Sequence, residues 1–376
     1  MRTPLRILCV LFVALLSACS TLGYYGQAIH GELGLLSERR PISQLIADPK
    51  TPALLRKKLE LAEQIRRFAS QKLSLPQNGS YTTYVALDRP YVSWNVFATK
   101  PFSLKPITWC FLFAGCVPYR GYFHEQSAQS FADSVRKQGD DVYVSGVPAF
   151  STLGWFDDPL LSSMLGWNDA ALANYIFHEL AHQELYVKGD ADFNESWAVT
   201  VADVGVRRWL QASGREAELA GYESRQRHWH MILLLVNTAR GQLTQLYASG
   251  LPAETMLARK QEIFDGLRKS YAVLRPQLDG DTGYDSFFKG PLNNARLLVI
   301  STYTRWVPAF RALLMENNGD LPAFYQAVKR LAHLPQDQRD AELEKLMVKS
   351  AEERPGYQRD LSDGRRAPPD QVRGRL

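Results

Sequence analysis

His178 and His182 stand four residues apart with Glu179 between them, in the run Asn174-Tyr175-Ile176-Phe177-His178-Glu179-Leu180-Ala181-His182. On a helix that spacing puts both imidazoles on one face, where they can take adjacent corners of a zinc tetrahedron. Glu179 follows one step round. It can reach a water at the metal rather than the metal itself, which is what removing that water's proton requires. The residues therefore point to zinc-assisted hydrolysis with one zinc ion and Glu179 as general base. The plain alternative is a solvated or core helix that happens to carry two histidines.

Two elements have to position this chemistry. Asn168 can cap a helix and Gly189 can supply a left-handed stop, so the spacing predicts a helix from about 169 to 187. The next string, Asp190-Ala191-Asp192-Phe193-Asn194-Glu195, predicts a second helix to about Gln211, capped by Asn194 or Asp192, with Glu195 in its first turn as third ligand. Asp190, Asp192 and Asp203 compete for that role. A helix fixes a ligand's direction better than a loop does, which favours Glu195. Asp203 is also the candidate to orient a zinc histidine.

Around the motif the text changes character. Residues 33–75 carry helical periodicity, ended by Pro76-Gln77-Asn78-Gly79; Tyr81–Ala86, Tyr91–Val96 and Val142–Phe150 read as strands, with a helix over Gln126–Lys137. After residue 165 nearly everything reads helical, over 215–240, 253–274, 293–315, 321–334 and 336–346, with a loop at 279–291. The expected class is α+β: a sheet-containing lobe over 33–165 and a mostly helical lobe over 166–348, with the motif helix at their junction. Residues 349–376 have few apolar side chains and are expected to be disordered.

The chain has 376 residues, 45% hydrophobic and 22% charged, which excludes wholesale disorder. Residues 1–18 read as a signal peptide, basic at Arg2 and Arg6 and apolar from Ile7 to Leu16. Its end, Leu16-Ser17-Ala18-Cys19, resembles the lipobox of bacterial lipoproteins, which implies a lipid anchor on Cys19 and a tether over 19–32. Ser20 in second place implies the outer membrane of a Gram-negative cell, facing the periplasm. Plain cleavage after Ala18 is the alternative. In such a compartment Cys110 and Cys116 are expected to form a disulfide. Two zinc-ligating thiolates would need partners at metal spacing, and His124 stands alone there. The formal charge of +5 drops to +3 without Arg2 and Arg6, too little to argue for nucleic acid, and no protein partner is indicated.

The zinc motif followed by Asn194-Glu195-x-x-Ala198 resembles the gluzincin clan of metallopeptidases, which includes thermolysin and the aminopeptidase N type. One departure matters: twelve residues separate His182 from Glu195, fewer than in those enzymes, so the connection must be tighter. The chain also resembles a family of predicted bacterial zinc aminopeptidases. The matching segments are Gly115–Phe123, Tyr143–Pro159, the zinc motif, and Asn293–Leu297 with Tyr303. The resemblance implies a peptide substrate, held along an edge strand that would be Tyr143-Val144-Ser145-Gly146-Val147, with an interior strand as the alternative.

It also implies a Tyr or His beyond Glu195 to stabilise the oxyanion, for which Tyr303, His228 and His230 are available. Packed aromatic roles are the alternative for these, and a capping role for Asn293 and Asn294. An aminopeptidase further needs an acid for the substrate's free amine. The Gly-x-Met-x-Asn signature of aminopeptidase N is absent, leaving Glu125, Asp157 and Asp158, the last two more readily a turn or cap than an amine clamp. An envelope endopeptidase acting on proteins or wall peptides, or a non-catalytic zinc-containing binding protein, are the rival readings.

Overall fold

The computed structural model describes residues 26–27, 30–31, 33–111, 115–149, 151–152, 154–301 and 305–353. The signal segment, Cys19, Tyr303 and residues 354–376 lie outside these. The chain is mixed α+β, mostly helical with small sheets.

In chain order the elements are β1 (Arg40–Pro41), α1 (Ile42–Ala47), α2 (Ala53–Lys72), β2 (Thr83–Val85), β3 (Ser93–Thr99), β4 (Trp109–Phe111), β5 (Gly115–Val117), β6 (Arg120–Tyr122), α3 (Glu125–Arg136), β7 (Asp141–Val147) and β8 (Leu160–Leu161). Then come α4 (Asp169–Glu184), α5 (Ala191–Ala212), α6 (Glu216–Tyr247), α7 (Ala253–Leu274), α8 (Asp285–Lys289), α9 (Asn294–Ser301), α10 (Val307–Glu316), α11 (Leu321–Ala332) and α12 (Gln336–Glu353).

The periodic stretch at 33–75 is not one helix. Pro41 and Pro52 stand at the starts of α1 and α2, where proline's missing N–H costs nothing, and Asp48 accepts the Lys50 N–H in the turn between them. The strand expected to reach Phe150 ends at Val147, because Pro148 has no N–H to offer a ladder. Helical content continues past Leu346 to Glu353, and the stretch at 293–315 is divided into α9 and α10.

Contacts divide the chain into two compact units: residues up to 184 with 202–302, and residues 185–201 with 303 onward. In the first, the sheet has the order β6-β3-β7, all antiparallel, with Ser93 opposite Val147 and Thr99 opposite Asp141. Trp94, Val96 and Ala98 of β3 bury one side of it with Ala128, Ala132 and Val135 of α3. A separate helical core joins Ile232 and Val236 of α6 to Phe264 and Leu267 of α7 and Leu297 of α9. Cys110 and Cys116 are opposite each other on β4 and β5 and are joined by a disulfide.

In the second unit, Trp197 is fully buried among Phe310, Phe324 and Tyr325. The Ser196 hydroxyl oxygen accepts the Trp306 N–H at 3.1 Å.

Candidate metal centre

The first helix of the centre starts as its sequence requires. Asn168 Oδ1 accepts the Ala171 N–H at 2.9 Å, and the Asn168 carbonyl takes Leu172. Asp169 in the first turn pairs with Lys58 at 2.9 Å and Arg215 at 2.7 Å. The α4 helix then carries His178 and His182 on one face. Their rings meet edge to face at 4.7 Å between centroids, with the two Nε2 atoms 3.1 Å apart.

This helix stops at Glu184, not near 187, and Gly189 is not its cap. Gly189, at φ 86°, sits third in a β-turn closed by the Asp190 N–H on the Val187 carbonyl. Asn194 makes the turn rigid: its amide accepts from the Val187 N–H and donates to the Val187 carbonyl, both at 2.7 Å. Asn194 therefore does not cap α5, and neither does Asp192. The cap is Asp190, whose Oδ1 accepts the Phe193 N–H at 3.1 Å. With the helix starting at Ala191, Glu195 lies one turn in, beyond the expected first-turn position.

The outcome is a convergence of three side chains. His178, His182 and Glu195 each offer one ligand atom, and these atoms all lie within 4.8 Å of one another; His182 is buried and the other two are half-buried. Among the described residues no other such group of three or more His, Cys, Asp or Glu occurs. Asp190 is committed elsewhere, with its Oδ2 on Arg339 at 2.6 Å. Asp203 accepts from Arg207 at 3.2 Å and from the Tyr222 hydroxyl at 3.1 Å, a hydroxyl that Asn174 also donates to. Asp192 stands apart from the triad. Burial raises its pKa, offset in part by Arg305.

The matching family carries the description "Putative aminopeptidase", and the match runs over residues 23–343. The chain belongs to that family. No protein of curated function and no solved structure matches the chain.

Other residues singled out in this family member divide between structural roles and open ones. Asp158 is a loop lock: it is buried, and its two oxygens accept from the Ser151 hydroxyl at 2.8 Å and the Thr152 hydroxyl at 2.7 Å. Burial raises its pKa against those hydrogen bonds. Asp157 and Glu125 are exposed. Asn293 caps α9 by accepting the Arg296 N–H and donates to the Val142 carbonyl, while Asn294 is held by Asp141. His228 is buried between the carboxylates of Asp279 at 3.4 Å and Asp281 at 3.7 Å. His230 lies on the same helix, half-buried.

Among the described residues β7 pairs with β3 alone, which makes it a sheet edge. The Val142 carbonyl points outward to Asn293, so by alternation the main-chain groups of Val144 and Gly146 face outward as well. The side chains have other work. Arg296 stacks over the Tyr143 ring at 4.8 Å, and a Cβ on Gly146 would collide with the Tyr91 ring.

Two tyrosines with buried hydroxyls, packed edge to face at 6.1 Å, carry no mark in the sequence reading. Tyr175 precedes Glu179 by one helical turn, a spacing that could have exposed it. Tyr81, distant in sequence, offers no such signal. Both phenols have pKa values raised well above the ordinary tyrosine value, chiefly by burial, with each other's proximity and the carboxylates of Glu179 and Asp158 adding to it.

Proposed function

We propose that the protein is a zinc-dependent peptidase in which His178, His182 and Glu195 hold the ion and Glu179 is the general base. The observation that carries this reading is the convergence of three ligand atoms within 4.8 Å. The donor set suits zinc: two imidazoles and a carboxylate number one fewer than the four protein ligands of a closed structural site. Two nitrogens on one tetrahedral ion at ~2.0–2.1 Å would stand about 3.3 Å apart. The two Nε2 atoms are 3.1 Å apart. Zinc held by this set would supply Lewis acidity toward a scissile carbonyl and toward water.

The chain's own groups supply the rest. Glu179 takes the proton of the attacking water and hands it to the leaving amine. A purely structural site has no use for a base in that position, which weighs against a non-catalytic binding protein. The outward main-chain groups of Val144 and Gly146 offer an extended peptide a strand to pair with. Cleavage at the amino terminus is supported by the family description, and Glu125 or Asp157 would bind the free amine. The arrangement is gluzincin-like, its shortened link accommodated by the Val187–Asp190 turn. Tyr303 is the residue proposed to stabilise the oxyanion.

The proposed address is the periplasmic face of the outer membrane, with the chain anchored by lipid on Cys19 after removal of residues 1–18. The Cys110–Cys116 disulfide suits that oxidising compartment. Among the described residues no helix is long and apolar enough to cross a membrane.

Metal analysis and a peptidase assay test the proposal. Wild type should hold one zinc per chain, and Glu179→Gln should keep zinc while losing turnover. Absence of stoichiometric zinc from wild type would sink the assignment. Cleavage of peptides with blocked amino termini would replace the aminopeptidase with an endopeptidase.

A further inference from the structure

Beside the helix that carries the metal motif stands a loop that holds two aromatic side chains out in water. Trp155 is 78% exposed and Phe156 47%, and among the described residues no large apolar side chain is more exposed than Trp155. A single exposed apolar residue needs no explanation. Two adjacent aromatics on a fixed loop make a patch, and such patches mark contact with a ligand or partner.

The loop is fixed by the bonds beneath it. The buried Asp158 carboxylate accepts the Thr152 N–H at 3.1 Å as well as the hydroxyls of Ser151 and Thr152. The Thr152 hydroxyl oxygen accepts the Phe156 N–H at 3.0 Å, and the Thr152 carbonyl accepts the Trp155 N–H at 3.1 Å. Gly154, at φ 83°, makes a bend that glycine adopts without a steric penalty. The backbone of Trp155 and Phe156 is thus part of a rigid mount.

That mount rests on α4. A Cβ on Gly154 would stand 3.3, 3.6 and 3.8 Å from Cγ, Cδ and Cβ of Gln183, so the loop lies in contact with this side chain. Gln183 follows His182 directly and comes one helical turn after Glu179, on the same face of the helix. Its own amide is held in place, accepting from Asn78 at 2.7 Å and donating to the Ser80 hydroxyl at 3.2 Å. The aromatic pair is therefore carried against the face of α4 that bears the proposed base, one residue along from a metal ligand.

We infer that Trp155 and Phe156 are specificity-determining residues, an apolar shelf beside the metal centre that receives an aromatic or branched aliphatic side chain flanking the scissile bond. The inference rests on the peptidase reading and names its substrate class: peptides with a large apolar residue next to the bond that is cut. Contact with the Glu179 face of α4 favours a peptide over a bilayer as the occupant. A ring or isobutyl group laid on the shelf would leave water, whereas an alanine methyl is too short to cover it. Differences of this size are worth roughly 10- to 200-fold in an enclosed apolar pocket, and an open shelf belongs at the lower end of that range.

The test uses Trp155→Ala, Phe156→Ala and the double variant, each in the full chain. Both side chains are exposed, so urea midpoints and zinc content should match wild type. Peptides that differ only in Phe, Leu or Ala on one or the other side of the scissile bond are compared by kcat/KM. Wild type should prefer Phe or Leu over Ala by about tenfold at one of these positions, and the double variant should bring the ratio within about twofold of unity. The same preference should appear without turnover, as tighter binding of the Phe peptide to Glu179→Gln that Trp155→Ala abolishes. No preference in wild type, or one that survives the double variant, would overturn the inference. Lost binding to phosphatidylethanolamine–phosphatidylglycerol vesicles with the peptide preference intact would overturn it too, by making the pair a membrane contact. A wild type that binds the Phe peptide through Trp155 and cleaves nothing is a separate result: it defeats the peptidase reading and leaves the shelf standing.

Discussion

The Nε2 atoms of His178 and His182 face each other across 3.1 Å. Two imidazole nitrogens so close suit a hydrogen bond between them or one cation held by both, and Glu195 brings a carboxylate to the same place. On the zinc reading, a cation bound there would satisfy all three donors. Loss of any of the three donors should weaken the hold on it.

His182→Ala and Glu195→Gln should each reduce bound zinc well below one per chain. Because an ion that binds only the folded state stabilises it by mass action, a strong chelator should lower the wild-type melting temperature and leave that of His182→Ala nearly unchanged. Metal analysis with thermal unfolding, with and without chelator, checks both. Equal chelator shifts in the two proteins would place the metal elsewhere.

Gly205 sets how closely α5 runs beside α4. A Cβ there would come within 2.7 Å of the Phe177 ring and of Leu73. Gly205→Val should cost about 1–3 kcal/mol from overpacking, and should reduce zinc affinity because Phe177 immediately precedes the first ligand. Urea unfolding and a zinc competition titration measure the two effects. Unchanged stability would show that the two helices have room to spare.

Asp190 and Arg339 form a buried pair, with side-chain exposures of 6% and 4%. Removing one partner strands the other, so Arg339→Met should destabilise the protein by about 3–5 kcal/mol. Asp190 also caps α5, the helix that presents Glu195. Asp190→Asn keeps a capping oxygen, so the double variant Asp190→Asn/Arg339→Met should recover part of the loss. Denaturant unfolding of the three variants decides it.

Asp169 makes stability depend on acid pH. Burial alone would raise its pKa, but Lys58 and Arg215 outweigh that, and the net displacement is below the ordinary 3.8. A carboxylate depressed by folding stabilises fully above its unfolded pKa, and the contribution disappears as pH falls through the folded value. Wild type should therefore exceed Asp169→Asn in stability at neutral pH, with the gap closing below about pH 3.8. Urea midpoints against pH give the comparison. A gap independent of pH would mean that the ion pairs contribute nothing.

What could be read from the chain alone was whatever lies within a turn or two of itself. The four-residue step from His178 to His182, the Asn168 cap, the choice of Glu195, the opposed Cys110 and Cys116 and the main helices and strands all depend on short spacings that the backbone converts directly into geometry. Errors began where a side chain had a distant or unexpected client. Asn194 looked like a cap and instead grips Val187, leaving that role to Asp190, itself anchored by Arg339 from far along the chain. Asp158, which the sequence favours as a turn acid over an amine clamp, is occupied by Ser151 and Thr152 in that loop. Ser80 is held by Arg66 and by Gln183, which stands beside the motif on α4. Such partnerships depend on how separate segments pack, and packing brings together residues whose spacing in sequence carries no record of the contact.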